Sequence, residues 1–130
     1  MVALGRGDPD LPTPAHILEA AKAALDNGAT HYTHPAGDLA LREAIARQIA
    51  ATTGVDYDPT TEVIVTTGAQ EAIALAMLTL INPGDEVILP THRFSSYDMA
   101  VELAGGTVVA YQSVVDGKFR LNASEIERVI

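Results

Sequence analysis

The sequence predicts an α/β fold with a mostly parallel sheet flanked by helices. Two observations predict it. From residue 63 onward the pattern runs strand, helix, strand, helix, strand, the alternation that parallel sheets require. Hydrophobic residues make up 48% of 130 residues, enough for one core, while charged residues are only 19%.

The elements follow in order. Val2-Ala3-Leu4 is short and apolar, and Gly5-Arg6-Gly7-Asp8-Pro9-Asp10 breaks regular structure. Pro9 and Pro12 keep this stretch extended. Thr13-Pro14 reads as a helix start, with Thr13 as N-cap. Ile17, Ala20, Ala21, Ala24 and Leu25 then recur at helical spacing, and Asn27-Gly28 stops the helix. Residues 30–37 form an irregular loop around Tyr32. Asp38 is the expected N-cap of a second helix, with Leu41, Ala44, Ile45 and Ile49 as its apolar face and Gly54 as its end. Tyr57-Asp58-Pro59 is a turn.

Val63–Thr66 is the first expected strand and leads through Gly68 into a helix from Ala69 to about Leu80. That helix is apolar all round, which predicts burial on more than one side. Asn82-Pro83-Gly84-Asp85 is a turn and Glu86–Leu89 a strand closed by Pro90. A helix over 95–104, the Gly105-Gly106 stop and a strand over Thr107–Tyr111 follow. Asp116-Gly117 is a turn, and Ser124 with Glu127 reads as a capping box for a last helix.

Composition narrows the function classes. Eight Lys+Arg against 17 Asp+Glu give a net charge of −9, with no basic run for nucleic acid. There is no cysteine, which excludes disulfides and thiolate metal sites. His16, His31, His34 and His92 share no metal-ligand spacing, so no metal is expected. No apolar run approaches the ~20 residues of a membrane helix, and no signal peptide is visible at the start. A cytoplasmic protein without membrane partners is the resulting expectation.

The Gly68-Ala69-Gln70 turn joins a strand end to a helix start, where free N–H groups and the helix dipole favour an anion. Taken alone, such a turn is equally a plain connection. Thr67–Gln70 and residues 90–94 would share the carboxyl rim of the sheet, where α/β ligands bind. Phe94, in the second loop, either packs inward as core or offers its ring to a flat cofactor. The turn has neither a dinucleotide nor a P-loop pattern.

Five blocks, in one order along the whole chain, resemble the class I/II aminotransferases, pyridoxal-phosphate (PLP) enzymes of fold type I. They are Gly5–Asp10 with Thr13-Pro14; Tyr32–Gly37 with Leu41-Arg42 and Ala44-Ile45-Ala46; Ile64–Ala72; Pro83-Gly84-Asp85-Glu86-Val87; and Phe94-Ser95-Ser96-Tyr97. The resemblance implies that Gly68, Ala69 and Gln70 hold the PLP phosphate and that Phe94 stacks on the pyridine ring. It implies that Tyr32 reaches the phosphate of a neighbouring subunit in a homodimer and that Gly7 lies against the substrate carboxylate. Residues 1–12 would be an N-terminal arm on the small-domain side. Residues 13–130 would be the N-terminal half of the large PLP-binding domain, incomplete at the C-terminus.

The same resemblance implies an activity that moves an amino group between an amino acid and a 2-oxo acid. Alternatives on this fold are a PLP-dependent lyase, synthase or decarboxylase, an aminotransferase-like sensor domain of a transcription regulator, or a pseudoenzyme. The family's lysine, which bonds the cofactor, is not matched here: Lys22 lies in the first helix and Lys118 in a turn. The chain is therefore expected to hold no catalytic residue and to be inactive alone. Strands supplied from elsewhere in the family's chain would lie between Val63–Thr66 and the next two strands. The 130 residues alone are thus expected to leave sheet edges and apolar helix faces bare. His34, His92 and Arg93 are unranked candidates for reading the substrate side chain.

Overall fold

The computed structural model describes residues 5, 7 and 9–130; Val2-Ala3-Leu4 and Arg6 lie outside them. The chain separates into two compact units, residues 1–35 and 36–130.

Among its described residues the first unit holds one helix, α1 (Ala15–Asp26). Its N-cap is Pro14, not Thr13, and no side chain caps it. Pro14 has ψ 138°, just outside helical geometry, and its carbonyl accepts from Ile17 and Leu18. Thr13 therefore stands one residue too early to cap.

The second unit begins with α2 (Leu39–Thr53). Asp38 caps it as expected, its carboxylate accepting the N–H groups of Ala40 and Leu41. The expected inner face is only partly right. Ile45 and Ile49 are half-buried, Leu41 and Ala44 are exposed, and the buried residues are Arg42 and Ala46. The reason is Arg42, whose hydrogen bonds to loop carbonyls turn the helix's Arg42–Ala46 edge inward.

α3 spans Ala69–Leu80, as the sequence predicts. The expectation of burial on several sides fails: none of its residues is buried, and Leu75, Leu78 and Leu80 are exposed. Val63–Thr66 also differs from expectation, since it pairs in no sheet among the described residues. Val63 is buried, but the segment's backbone tie is the Val65 N–H to the Ala36 carbonyl, 2.9 Å. Among the described residues no strand lies beside it to supply a ladder. An open apolar groove of about 360 Å³ runs there instead, lined by residues that include Ile64, Ala72, Leu75 and Leu80. Both misses have one cause: the apolar pattern is present and its cover is not.

β1 (Glu86–Pro90) and β2 (Thr107–Tyr111) pair in parallel, from Glu86 opposite Thr107 to Pro90 opposite Tyr111. α4 (Ser96–Leu103) connects them and packs on both β2 and α3. The core gathers here, with Ala100, Val101 and Tyr111 buried. The Asn82–Asp85 turn is fastened at its base. The Asp85 carboxylate accepts the Asn82 N–H at 2.8 Å, and Gly84 donates to the Gly105 carbonyl at 3.0 Å.

The expected turn at Asp116-Gly117 joins a short antiparallel hairpin, β3 (Val114–Val115) and β4 (Lys118–Phe119). Asp116 has φ 52° and Gly117 φ 70°, the left-handed pair that two-residue hairpins use. The final helix, α5 (Ala123–Glu127), is not capped by a Ser124–Glu127 box. Asn122 caps it, accepting from the Ser124 N–H at 3.1 Å. Asn122 precedes Ser124 by the two residues that a side-chain cap needs, so it takes the donor first.

Candidate cofactor site

The anion turn is built from below. Gly37 has φ 94°, and a Cβ there would lie 2.6 Å from Val65 Cβ, so only glycine lets the two backbones meet. Val65 is two residues from the helix-entry turn. Arg42 holds the Gly37 side of this contact. Its Nε donates to the Gly37 carbonyl at 3.2 Å, and one Nη donates to the carbonyls of Pro59 and Thr60 at 2.8 and 3.2 Å. The Pro59-Thr60 turn is itself fixed by Asp58, whose carboxylate accepts from Thr60 N–H, Thr60 Oγ1 and Thr61 Oγ1. Those bonds, with the Arg42 charge, hold the Asp58 carboxyl below the ordinary range.

The turn itself is tight. Gly68 N–H donates back to the Thr66 carbonyl at 2.9 Å, and Thr66 Oγ1 donates to the Gly68 carbonyl at 3.0 Å. Gly68 caps α3 at φ 85°, ψ 166°, a region essentially reserved for glycine. Glu71 reaches back and accepts the Thr67 N–H. That donor is spent, but the N–H groups of Ala69 and Gln70 have no acceptor among the described residues. A Cβ on Gly68 would meet nothing within 4 Å, so the glycine itself is uncrowded. Two unpartnered amides at the positive end of a helix suit an anion.

The second loop, Thr91–Ser95, leaves the carboxyl end of β1. Phe94 is 59% exposed and lies outside the core of the described residues. Its ring meets Tyr97 edge-on, centroids 6.5 Å apart at 68°. α4, which begins just beyond it, packs on α3, the helix of the anion turn. Gly68, Ala69, Gln70 and Phe94 therefore belong to one unit. Tyr32 and Gly7 belong to the other, both exposed.

Arg93 is tied back to its own loop and to α4. Its Nε donates to Asp98 Oδ2 at 2.9 Å, a second nitrogen donates to Asp98 Oδ1, and a third interaction reaches the Pro90 carbonyl at 2.8 Å. The Arg93 hydrogen bond lowers the Asp98 carboxyl below its ordinary range, and Asp98 in turn raises Arg93. Because the folded carboxyl is depressed, this fork stabilises above the ordinary carboxyl range and is lost as pH falls through the folded value. The Asp98 carboxyl resonance is expected to titrate below the usual aspartate range, and Arg93→Gln to return it there. An unshifted titration in the unaltered protein would rule the fork out in solution.

Two organising groups escape sequence reasoning: Arg42, as a buried clamp, and Ser113, as a fully buried hydroxyl just past β2. The lysines lie elsewhere, Lys22 paired with Glu19 on α1 and Lys118 in the hairpin. Among the described residues no cluster of His, Asp or Glu is arranged to hold a metal, and no helix is long and apolar enough to cross a membrane.

The sequence matches the family description "Aminotransferase class I and II" over residues 1–130. The chain belongs to this family. Within it, the chain is 41% identical over 130 residues to an aromatic-amino-acid aminotransferase of Thermococcus litoralis, covering 100% of this chain and 33% of that one. It is 45% identical to a probable N-succinyldiaminopimelate aminotransferase of Mycobacterium tuberculosis, covering 99% of this chain and again 33% of the relative. The fold matches the crystal structure of an aromatic aminotransferase from Pyrococcus horikoshii with TM-score 0.91 and 44% identity, over 98% of this chain and 34% of that one. The chain thus spans about a third of the length of the aminotransferases it matches. The α/β fold expected from the sequence is the fold of that third.

Proposed function

We propose that this chain is the N-terminal portion of a PLP-dependent aminotransferase that moves an amino group between an amino acid and a 2-oxo acid. The Gly68 turn carries the proposal, with its free Ala69 and Gln70 amides on a chain that matches the family end to end. The matched relatives described above are all named as aminotransferases, which supports this reading over a lyase or a sensor domain.

Bound PLP supplies the electron sink that lets an amino group leave one acid and join another. The chain's own residues bind and orient it. Gly68, Ala69 and Gln70 hold the phosphate through the two backbone donors at the head of α3. Phe94 lies along the ring face, where stacking adds about 0.5–1.5 kcal/mol beyond burial. In a homodimer, Tyr32 of the partner subunit reaches the same phosphate. Gly7 leaves room for the substrate carboxylate. Residues 1–12 belong to the small-domain side and 13–130 to the large domain, and the protein works in the cytoplasm. Neither Lys22, on α1, nor Lys118, in the hairpin, stands in the sequence context of the family's cofactor lysine, so the catalytic lysine comes from outside these residues.

The test is the full-length protein incubated with PLP and dialysed. One equivalent of retained PLP with visible absorbance, and conversion of a 2-oxo acid to its amino acid with a donor present, are expected. The 130-residue chain alone should give no turnover. A full-length protein that retains no PLP would overturn the proposal.

A further inference from the structure

Three successive residues carry Phe94, and a side-chain bond fastens each of them. Thr91 Oγ1 lies 3.0 Å from Ser113 Oγ and accepts the Ser113 backbone N–H at 3.3 Å. His92 donates its backbone N–H to Ser113 Oγ at 3.2 Å, and its Nδ1 lies 3.2 Å from the same hydroxyl. Arg93 is forked onto Asp98. Phe94 follows, its backbone fixed on a bracket while its ring stays exposed.

Ser113 is the hub of that bracket. Its side chain is fully buried, and every side-chain partner it has is Thr91 or His92. The hydroxyl has one proton and two lone pairs. It accepts the His92 amide and donates to Thr91 Oγ1 or His92 Nδ1, which satisfies a group that would otherwise be costly to bury. The bond crosses from the end of β2 to the loop that leaves β1, so it sets where that loop leaves the sheet.

We infer that Ser113 is a positioning residue for the Phe94 ring, holding it in the orientation that receives a flat cofactor. The inference rests on the reading of Phe94 as the PLP stacking wall. A ring already fixed loses little freedom on binding, whereas ordering a mobile side chain consumes part of the contact energy. Ser113 touches no ligand; it acts through residues 91–93.

The experiment is PLP titration of the full-length protein, read as Kd and as the circular dichroism that bound PLP acquires from its fixed surroundings. Four proteins are compared: unaltered, Phe94→Leu, Ser113→Ala and the double variant. Phe94→Leu is expected to raise Kd about fivefold, from the loss of stacking. Ser113→Ala should raise it about threefold and weaken the dichroic band, by loosening a ring that is still present. The double variant should be no worse than Phe94→Leu alone, because the hub matters only through the ring. Thr91→Val cuts the same network from the other side; it should match Ser113→Ala and replaces it if that protein does not fold. Two results overturn the inference while sparing the Phe94 reading: an unchanged Kd and band in Ser113→Ala, or multiplied effects of about fifteenfold in the double variant. An unchanged Kd in Phe94→Leu removes the stacking wall and the inference with it.

Discussion

Replacing Arg42 by methionine lowers the stability of the full-length protein by about 3 kcal/mol, seen as a lower urea midpoint at unchanged slope. The side chain is buried and serves the carbonyls of Gly37, Pro59 and Thr60 at once. Methionine fills similar length but donates nothing, so the half-buried Gly37 and Pro59 carbonyls lose their charged donor and regain only partial solvation. Each group left unsatisfied costs about 1–3 kcal/mol, and partial relaxation of the Pro59-Thr60 turn trims the sum. Arg42→Lys should lose less than methionine and still fall short, since a compact ammonium cannot reproduce the Nε and Nη geometry together. A midpoint unmoved by Arg42→Met would mean that the turn finds other donors.

Gly68→Val carries the largest expected effect on binding, a fall in PLP affinity of about 100-fold. Valine at φ 85°, ψ 166° is strained by about 1–3 kcal/mol, so the turn moves to another conformation. That movement takes the Ala69 and Gln70 amides out of line. Two hydrogen bonds to a charged group, each contributing about 1.5–3 kcal/mol, account for a loss of that order. Equilibrium dialysis against PLP measures it. Full retention of affinity would show that the phosphate is held somewhere other than this turn.

Much of this architecture was legible in residue patterns. Asp38, Gly54 and the Ala69–Leu80 span were readable because caps and helical spacing are local signals. So were β1 and β2, bounded by Pro90 and Gly105-Gly106. Elements that depend on neighbours were not. Val63–Thr66 has the apolar content of a strand, but pairing is a property of two segments, and none lies beside it here. α3 has the composition of a buried helix, yet burial also needs a second surface. The Gly68 turn was readable as a helix entry, because a glycine before an apolar helical run is a local signal. Arg42 and Ser113 were not recognised as buried, because polar residues are expected outside and only their carbonyl and hydroxyl partners hold them in. For Arg93, an unranked candidate for reading the substrate side chain, the sequence did not reveal the fork onto Asp98 in the first turn of α4.

The glycine–valine contact at Gly37 and Val65 also bears on the order of events during synthesis. The bonds named above that support it, from the Asp38 cap to the Asp58 turn, lie within residues 36–65. The bracket under Phe94 is likewise confined, to residues 90–113. Contacts this close in sequence close small loops and form early. A nascent chain can therefore finish the footing of its Gly68 turn on the ribosome before the bracket under Phe94 has been translated.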